Sequence, residues 1–326
     1  MTEMTLVQAV NDALRTALQS DDRVILLGED IGKNGGVFRA TEGLQARFGE
    51  QRVVDTPLAE AGIIGTSVGL AAGGMKPIPE IQFMGFIYPG FEQIVSHVAR
   101  LRMRSRSRFT APMVIRVPYG GRIRAPELHS ESTETFFAHT PGLTVVTPSN
   151  PYDAKGLLLS AVQSDDPVIF LEPMHIYRSF RQSVPEEPYI VPIGSAQIVK
   201  PGRDVTVITW GAMVRDVLDA TAKVEATRGI EVEVIDLRTL APWDEETVFA
   251  SVNKTGRAVI VHEAVLNLGL GAELAARISE ECVLQLEAPV TRVGGLNVPV
   301  PLFQLEDLHA PTHARIQRGI DKVLDF

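Results

Sequence analysis

Short apolar runs alternate along this chain with longer stretches in which apolar positions recur every three or four residues. Thr5 to Gln19 carries Leu6, Ala9, Val10, Ala13, Leu14, Ala17 and Leu18 on one stripe and predicts an amphipathic helix. V-I-L-L-G at 24–28 reads as a fully buried strand that ends in Glu29-Asp30 and a glycine-bearing loop to Gly36. After a short helix, V-V-D at 53–55 is the next strand. I-P-E-I-Q-F-M (78–84) and M-V-I-R-V-P (113–118) predict two more, separated by a helix over 91–103 with Phe91, Ile94, Val95, Val98 and Leu101 at helical spacing. A polar loop rich in Gly and Arg then reaches His129. L-T-V-V-T-P, D-A-K-G-L-L-L-S-A-V and P-V-I-F-L-E-P supply a strand, a helix and a strand that ends near Pro173.

Periodicity lapses from Met174 to Gly194, where prolines stand at 185, 188 and 192. The reading is a first domain over 1–180, a linker over 181–195 and a second domain over 196–326. In the second, D-V-T-V-I-T-W, V-E-V-I-D-L, A-V-I-V-H-E and T-R-V-G-G alternate with helical stretches, and a helix from about Thr312 to Leu324 closes the chain. Strands alternating with helices predict an α/β protein of two parallel-sheet domains. Ligands of such sheets bind outside the carboxyl ends of the strands. Glu29, the Asp55–Glu60 segment, Gln82–Pro89 and the loop to His129 all follow predicted strand ends, so the topology gathers them on one rim.

One stretch departs from the ordinary pattern. From Ala61 to Met75 there are fifteen uncharged residues, with Gly62, Gly65, Gly69 and Gly73 at spacings of three or four. Thr56 as N-cap and Pro57 at the first helical position predict a helix here. Each internal glycine costs a helix roughly 1 kcal/mol relative to alanine, so the bare face predicts a close approach by another helix. Glu60 just precedes it. A first-turn acid complements the helix dipole, but neither Thr56 nor Asp55 as cap makes Glu60 the partner of a capping box. It is a candidate buried acid.

Composition narrows the function classes. A formal charge of −9 argues against a dedicated nucleic-acid binder, and no run reaches the roughly 20 apolar residues of a membrane span. The N-terminus lacks signal-peptide and transit-peptide character, and a single cysteine, Cys282, excludes an internal disulfide framework. These features predict a cytoplasmic protein. The seven histidines show no metal-ligand spacing, and no phosphate-loop or nucleophile-elbow motif occurs. G-L-G-A-E-L at 269–274 only begins like a dinucleotide fingerprint. The alternating Arg100, Arg102, Arg104, Arg106 and Arg108 read as a solvated or inter-subunit basic edge, since a period of two cannot gather five cations on one helical face.

Longer motifs carry a resemblance. G-E-D-I-G, D-T-P-L-A-E-A-G-I-I-G, P-E-I-Q-F-M-G-F-I-Y-P-G-F-E-Q-I, F-F-A-H-T-P-G-L, E-V-I-D-L-R-T-L-A-P-W-D and K-T-G-R-A-V-I-V-H-E-A occur in an order and spacing that resemble the beta subunit of the E1 component of 2-oxo acid dehydrogenase complexes. The resemblance covers essentially the whole chain. It implies a transketolase-like pyrimidine-binding domain followed by a transketolase C-terminal-like domain, and thiamine diphosphate as cofactor. Glu60 matches the glutamate that hydrogen-bonds the aminopyrimidine and starts the proton relay, and Phe86 matches the aromatic stacked on that ring. Glu29, Leu58, Ala59, Gln82, Tyr88 and Pro89 match neighbouring cofactor positions. His129 matches a loop histidine at the reaction centre, with Phe83 beside it on the substrate side. E-I-Q-F at 80–83 and the following F-I-Y-P-G-F resemble the branched-chain type more than the pyruvate type.

The family's diphosphate and magnesium motif, G-D-G, is absent from the chain. The resemblance therefore implies half an active site, completed with Mg²⁺ by an E1 alpha subunit in an α2β2 assembly, with the glycine face at the subunit interface. It also implies an E2 lipoyl acyltransferase partner, a 2-oxo acid substrate, and no nucleic acid or membrane. Some relatives bind K⁺ through carbonyls matching Met113, Val114, Ala161, Ser164 and Asp166, where Ser164 replaces an aspartate. His262-Glu263-Ala264-Val265, Asn297 and R-I-R-A-P-E-L-H-S also depart from the usual pattern. Alternatives are a pyruvate or acetoin dehydrogenase subunit or, in another class, a non-catalytic scaffold subunit.

Overall fold

The computed structural model describes all 326 residues. Its first seven strands are β1 (Thr2–Met4), β2 (Val24–Gly28), β3 (Val53–Asp55), β4 (Lys76–Glu80), β5 (Val114–Tyr119), β6 (Thr144–Val146) and β7 (Val168–Pro173). The other seven are β8 (Gln182–Val184), β9 (Gln197–Lys200), β10 (Val205–Thr209), β11 (Val232–Asp236), β12 (Thr239–Ala241), β13 (Ala258–Val265) and β14 (Thr291–Gly295). One sheet has the order β12-β6-β7-β5-β4-β2-β3, a second the order β14-β13-β10-β11-β9, and β1 pairs with β8. Within the first sheet β2, β3, β4, β5, β6 and β7 run parallel, as do β10, β11, β13 and β14 in the second. Continuous apolar composition suits strands covered on both faces.

Helix Leu6–Ser20 opens with a capping box between Thr5 and Gln8 and lies on helix Pro151–Gln163, burying the predicted apolar stripe. Three differences from the sequence reading have physical causes. The helix expected from Pro57 begins at Glu60, because the Thr56 amide instead donates to the Gly28 carbonyl and prolongs the edge of the sheet. The strand expected over 78–84 stops at Glu80 and gives way to a helical turn at Met84–Phe86. The expected helix 91–103 is Tyr88–Gln93, a π-turn at Ile94–Val98 and a short helix at Leu101–Arg104.

The glycine stripe meets another helix of this chain only at Gly65, opposite Gln93 of helix Tyr88–Gln93. A Cβ at Gly69 would find nothing within 4 Å, and one at Gly65 only the Gln93 amide at 3.5 Å. At Gly62 and Gly69 no other helix comes within 4 Å.

The segment read as a linker has structure of its own. β8 lies within it, and the Lys155 ammonium donates to the Pro185 carbonyl at 2.6 Å and the Glu186 carbonyl at 3.0 Å. β12, from the second half of the chain, pairs antiparallel with β6 at the end of the first sheet. Consequently one apolar core is continuous across both sheets, with Ile115, Val117, Phe137 and Leu171 joined to Ile208, Trp210, Ile235 and Leu237.

Acids are buried in this junction. Ser149 donates to Asp236 at 2.5 Å, and burial pushes the Asp236 carboxyl up to about 7. Glu134 is 1 % exposed, and burial pushes it from 4.5 up to about 8, opposed by its own backbone amide and the Trp210 indole and helped by the Glu263 charge. The folded state therefore holds this proton more tightly than the unfolded chain, and its stability contribution is lost as pH rises from about 4.5 through about 8. Glu134→Gln is expected to flatten that part of the stability profile and to be more stable than the parent above pH 8, measured by urea unfolding across the range.

Candidate active site

Parallel pairing of β3, β2, β4 and β5, neighbours in that order, brings four carboxyl ends to one rim. Glu29 follows β2, the Thr56–Glu60 turn follows β3, Gln82–Pro89 follows β4, and the loop to His129 follows β5. The four segments expected together are together.

Under the rim, β4 carries Pro77 and Pro79, which lack amide donors. Its register with β5 reduces to one pair, Glu80 with Arg116, beside the bond from Ile81 N to the Arg116 carbonyl at 3.0 Å. Side chains reinforce the seam. Arg116, 1 % exposed, donates Nη1 to Glu80 at 2.5 Å, Nε to Glu172 Oε1 at 2.6 Å and Nη2 to Glu172 Oε2 at 3.0 Å. Tyr177 donates to the same Glu172 carboxylate at 2.6 Å. Burial pushes Glu80 up, the Arg116 charge opposes this, and Glu172 adds to it.

Glu60 opens helix Glu60–Ala72, half-buried ahead of Ile63 and Ile64. Gly90 lets the next helix abut it, since a Cβ there would lie 3.2 Å from the Glu60 carbonyl oxygen. Burial raises the Glu29 carboxyl, helped by the charges of Asp30 and Glu60. Two rim carboxylates thus share one field.

Facing them is an aromatic cluster. His129 lies 4.4 Å from the Phe83 ring and 4.9 Å from the Phe86 ring, centroid to centroid, and Phe38 packs on Phe83 at 5.3 Å. His129 Nδ1 is 2.9 Å from the Glu127 carbonyl. A carbonyl only accepts, so this contact assigns the hydrogen to Nδ1 of the neutral ring and leaves Nε2 as a free proton acceptor. Gln82 is half-buried; Leu58, at 71 % exposure, Ala59, Tyr88, at 41 %, and Pro89 are open. Burial and the Glu131 charge raise the Tyr88 hydroxyl.

Other expected positions lie elsewhere. Met113, Val114, Ala161, Ser164 and Asp166 lie at the opposite, amino-terminal ends of β5 and β7. The carbonyls of Met113, Ala161 and Asp166 already accept from Val168 N at 3.0 Å, Ser164 N at 3.1 Å and Ser164 Oγ at 2.8 Å. Arg102 also places its guanidinium on Asp166 at 2.5 Å. No group of three or more His, Cys, Asp or Glu side chains is arranged to hold a metal ion. In the arginine row, Arg104 turns back to the Ser96 carbonyl while Arg102 takes Asp166, so the row is not one surface.

Sequence reasoning missed Phe38, the Arg116 cluster and Gly85. A Cβ on Gly85 would stand 2.1 Å from the Leu128 carbonyl oxygen, so this glycine lets the His129 loop lie directly on the backbone. Its place between Met84 and Phe86 in an otherwise bulky stretch was the available signal.

Comparison with known proteins accounts for this arrangement. Residues 2–179 match the family described as transketolase, pyrimidine binding domain, and residues 194–316 match transketolase, C-terminal domain. A solved structure described as a split gene transketolase, inactive beta4 tetramer, superposes with a TM-score of 0.80 over 99 % of both chains; at 21 % identity it speaks for the fold alone. The class is thus a transketolase-like α/β protein with a pyrimidine-binding domain. Pyruvate dehydrogenase E1 component subunits beta from Bacillus subtilis and Acholeplasma laidlawii are 50 % and 52 % identical to it. The first covers 100 % of both chains, the second 99 % of this chain and 98 % of its own. The chain belongs to the beta subunits of the E1 component of 2-oxo acid dehydrogenases, thiamine diphosphate-dependent enzymes in which beta works with an alpha subunit. No helix is long and apolar enough to cross a membrane.

Gly85→Ala is expected to leave the fold intact, displace the His129 loop and lower kcat of the assembled enzyme about 100-fold, the scale of a misplacement of about 1 Å. Steady-state kinetics beside thermal unfolding checks it.

Proposed function

We propose that this chain supplies the beta half of an E1 that decarboxylates pyruvate and passes the acetyl group to the lipoyl group of E2. The observation that carries the site reading is the meeting of Glu60, Glu29, Phe86 and His129 on one rim whose outer side is open. A carboxylate beside an aromatic face fits an aminopyrimidine, which offers ring nitrogens to the acid and a π-face to the ring. Phe86 would hold that ring and Glu60 its nitrogen, with Leu58, Ala59, Gln82, Tyr88 and Pro89 forming the rest of this chain's wall. Thiamine diphosphate, when bound, supplies the nucleophilic carbon and the electron sink for decarboxylation.

The chain's own residues move protons. Glu60 would hold and return a proton at the pyrimidine nitrogen, beside the Glu29 carboxyl, which burial raises. His129, with its hydrogen on Nδ1, takes or gives a proton through Nε2 on the substrate side. Positioned proton transfer is typically worth 10²–10⁴-fold, about 3–5 kcal/mol of barrier. Mg²⁺ and the diphosphate are held mainly by the alpha subunit in an α2β2 assembly, and the open glycine face of helix Glu60–Ala72 packs against that partner.

Pyruvate replaces the branched-chain acid expected from E-I-Q-F and F-I-Y-P-G-F. Full-length identity of about half to relatives named pyruvate dehydrogenase subunits supports this reading.

The test is purification with its alpha partner and kcat/KM for pyruvate, 2-oxoisovalerate and 2-oxoglutarate. Pyruvate should lead; a lead for 2-oxoisovalerate would restore the branched-chain reading. Glu60→Gln should preserve assembly and lower decarboxylation by about 10²–10⁴-fold. Full activity in that variant refutes the proton role.

A further inference from the structure

The loop that carries His129 leaves β5 at Gly120 and is gripped at once by the second half of the chain. Glu306, 2 % exposed, accepts Arg122 N on Oε1 at 2.7 Å and Arg124 N on Oε2 at 2.6 Å. Glu263, also buried, accepts Gly121 N. Asp216 takes the Arg122 guanidinium at 2.7 and 3.1 Å, and Asp307 takes that of Arg124 at 3.0 Å. The glycines are needed for the grip. A Cβ at Gly121 would lie 2.7 Å from Glu306 Oε1, and Gly120, at φ +88°, faces Glu263 Oε2 at 2.9 Å.

The loop is in no relaxed conformation. Arg122, Arg124 and Leu128 have φ of 61°, 55° and 66°, uncommon for residues with a Cβ. Such conformations persist where the surroundings over-determine them. A surface loop would leave its amides to water; here two buried carboxylates serve them instead. Burying a carboxylate is costly unless it is fully hydrogen-bonded, and every hydrogen bond that Glu306 accepts comes from this loop. Clamped at 121–124 by carboxylates and at Leu128 by the bare backbone of Gly85, the loop has one course between its anchors, and His129 is carried to the Phe83 and Phe86 rings.

We propose that Glu306, supported by Glu263, is a positioning residue: it acts through the loop backbone to hold His129 at the reaction centre, so the second domain sets the geometry of a site in the first. The proposal rests on the proton role given to His129 above.

The experiment uses the alpha–beta holoenzyme carrying Glu306→Ala, Glu306→Gln, His129→Ala and the double variant Glu306→Ala/His129→Ala. Alanine deprives both amides of their acceptor, whereas glutamine keeps one carbonyl oxygen. Glu306→Ala should lower kcat about 10- to 100-fold, with KM changed less than about threefold, and Glu306→Gln should fall between it and the parent. Hydrogen exchange at 121–130 should quicken in the same order. In the His129→Ala background the Glu306 substitution should cost little more, the non-additivity expected of residues acting as a unit. If Glu306→Ala fails to assemble, the same comparisons are made with Glu306→Gln. Unchanged exchange over the loop, or additive losses with His129→Ala, overturns the proposal while the role of His129 stands. Full activity of His129→Ala alone overturns the underlying role, and the proposal with it.

Discussion

The rim depends on the seam between β4 and β5. Pro77 and Pro79 remove the amides that a parallel ladder would use on that side, leaving the single register pair Glu80 and Arg116. A buried guanidinium shared by Glu80 and Glu172 closes the gap and ties the carboxyl ends of β4 and β7 to the middle of β5. Such a cluster brings little net stability, because desolvation offsets the Coulombic gain. What it supplies here is registration: Glu80 is two residues before Gln82 and three before Phe83, so the ion pair that fixes β4 also fixes where the aromatic wall begins.

Above that seam the two halves of the chain are one mechanical unit. β12 extends the first sheet, a single apolar core runs under both sheets, and carboxylates from the second half hold the backbone of the His129 loop. The cost is visible in the junction, where Glu134 and Asp236 are held as weak, buried acids. A site whose loop is fixed from the second half of the chain is preorganised, and preorganisation is what lets proton transfer proceed without reorganising the protein.

The rim is also half of something. Leu58 and Tyr88 are exposed beside a half-buried Glu60, and the glycine face of the following helix is open at Gly62 and Gly69. Its other face packs Ile63, Ile64 and Ala71 into the core, while the open glycines bear their conformational cost without a neighbour. The family's beta subunits work with alpha subunits.

How much of this was legible in the residues follows from the range of the forces involved. Local periodicity is enough for the alternation of strands and helices, and long apolar runs imply parallel strands, so the α/β class and the gathering of Glu29, Glu60, Gln82 and His129 on one rim follow from sequence alone. Glu60 stood out because an acid before a bare glycine face has no simple local explanation. Motif order carried the family, but short motifs pointed to a branched-chain substrate where full-length identity favours pyruvate. Tertiary structure alone decided the rest. Glu60 became the first residue of its helix because Thr56 bonds to Gly28 on a neighbouring strand, and the bonds of the Glu80–Arg116–Glu172 cluster span 36 and 56 positions. The Glu306 grip spans 184 positions, a contact between buried groups that no local pattern encodes.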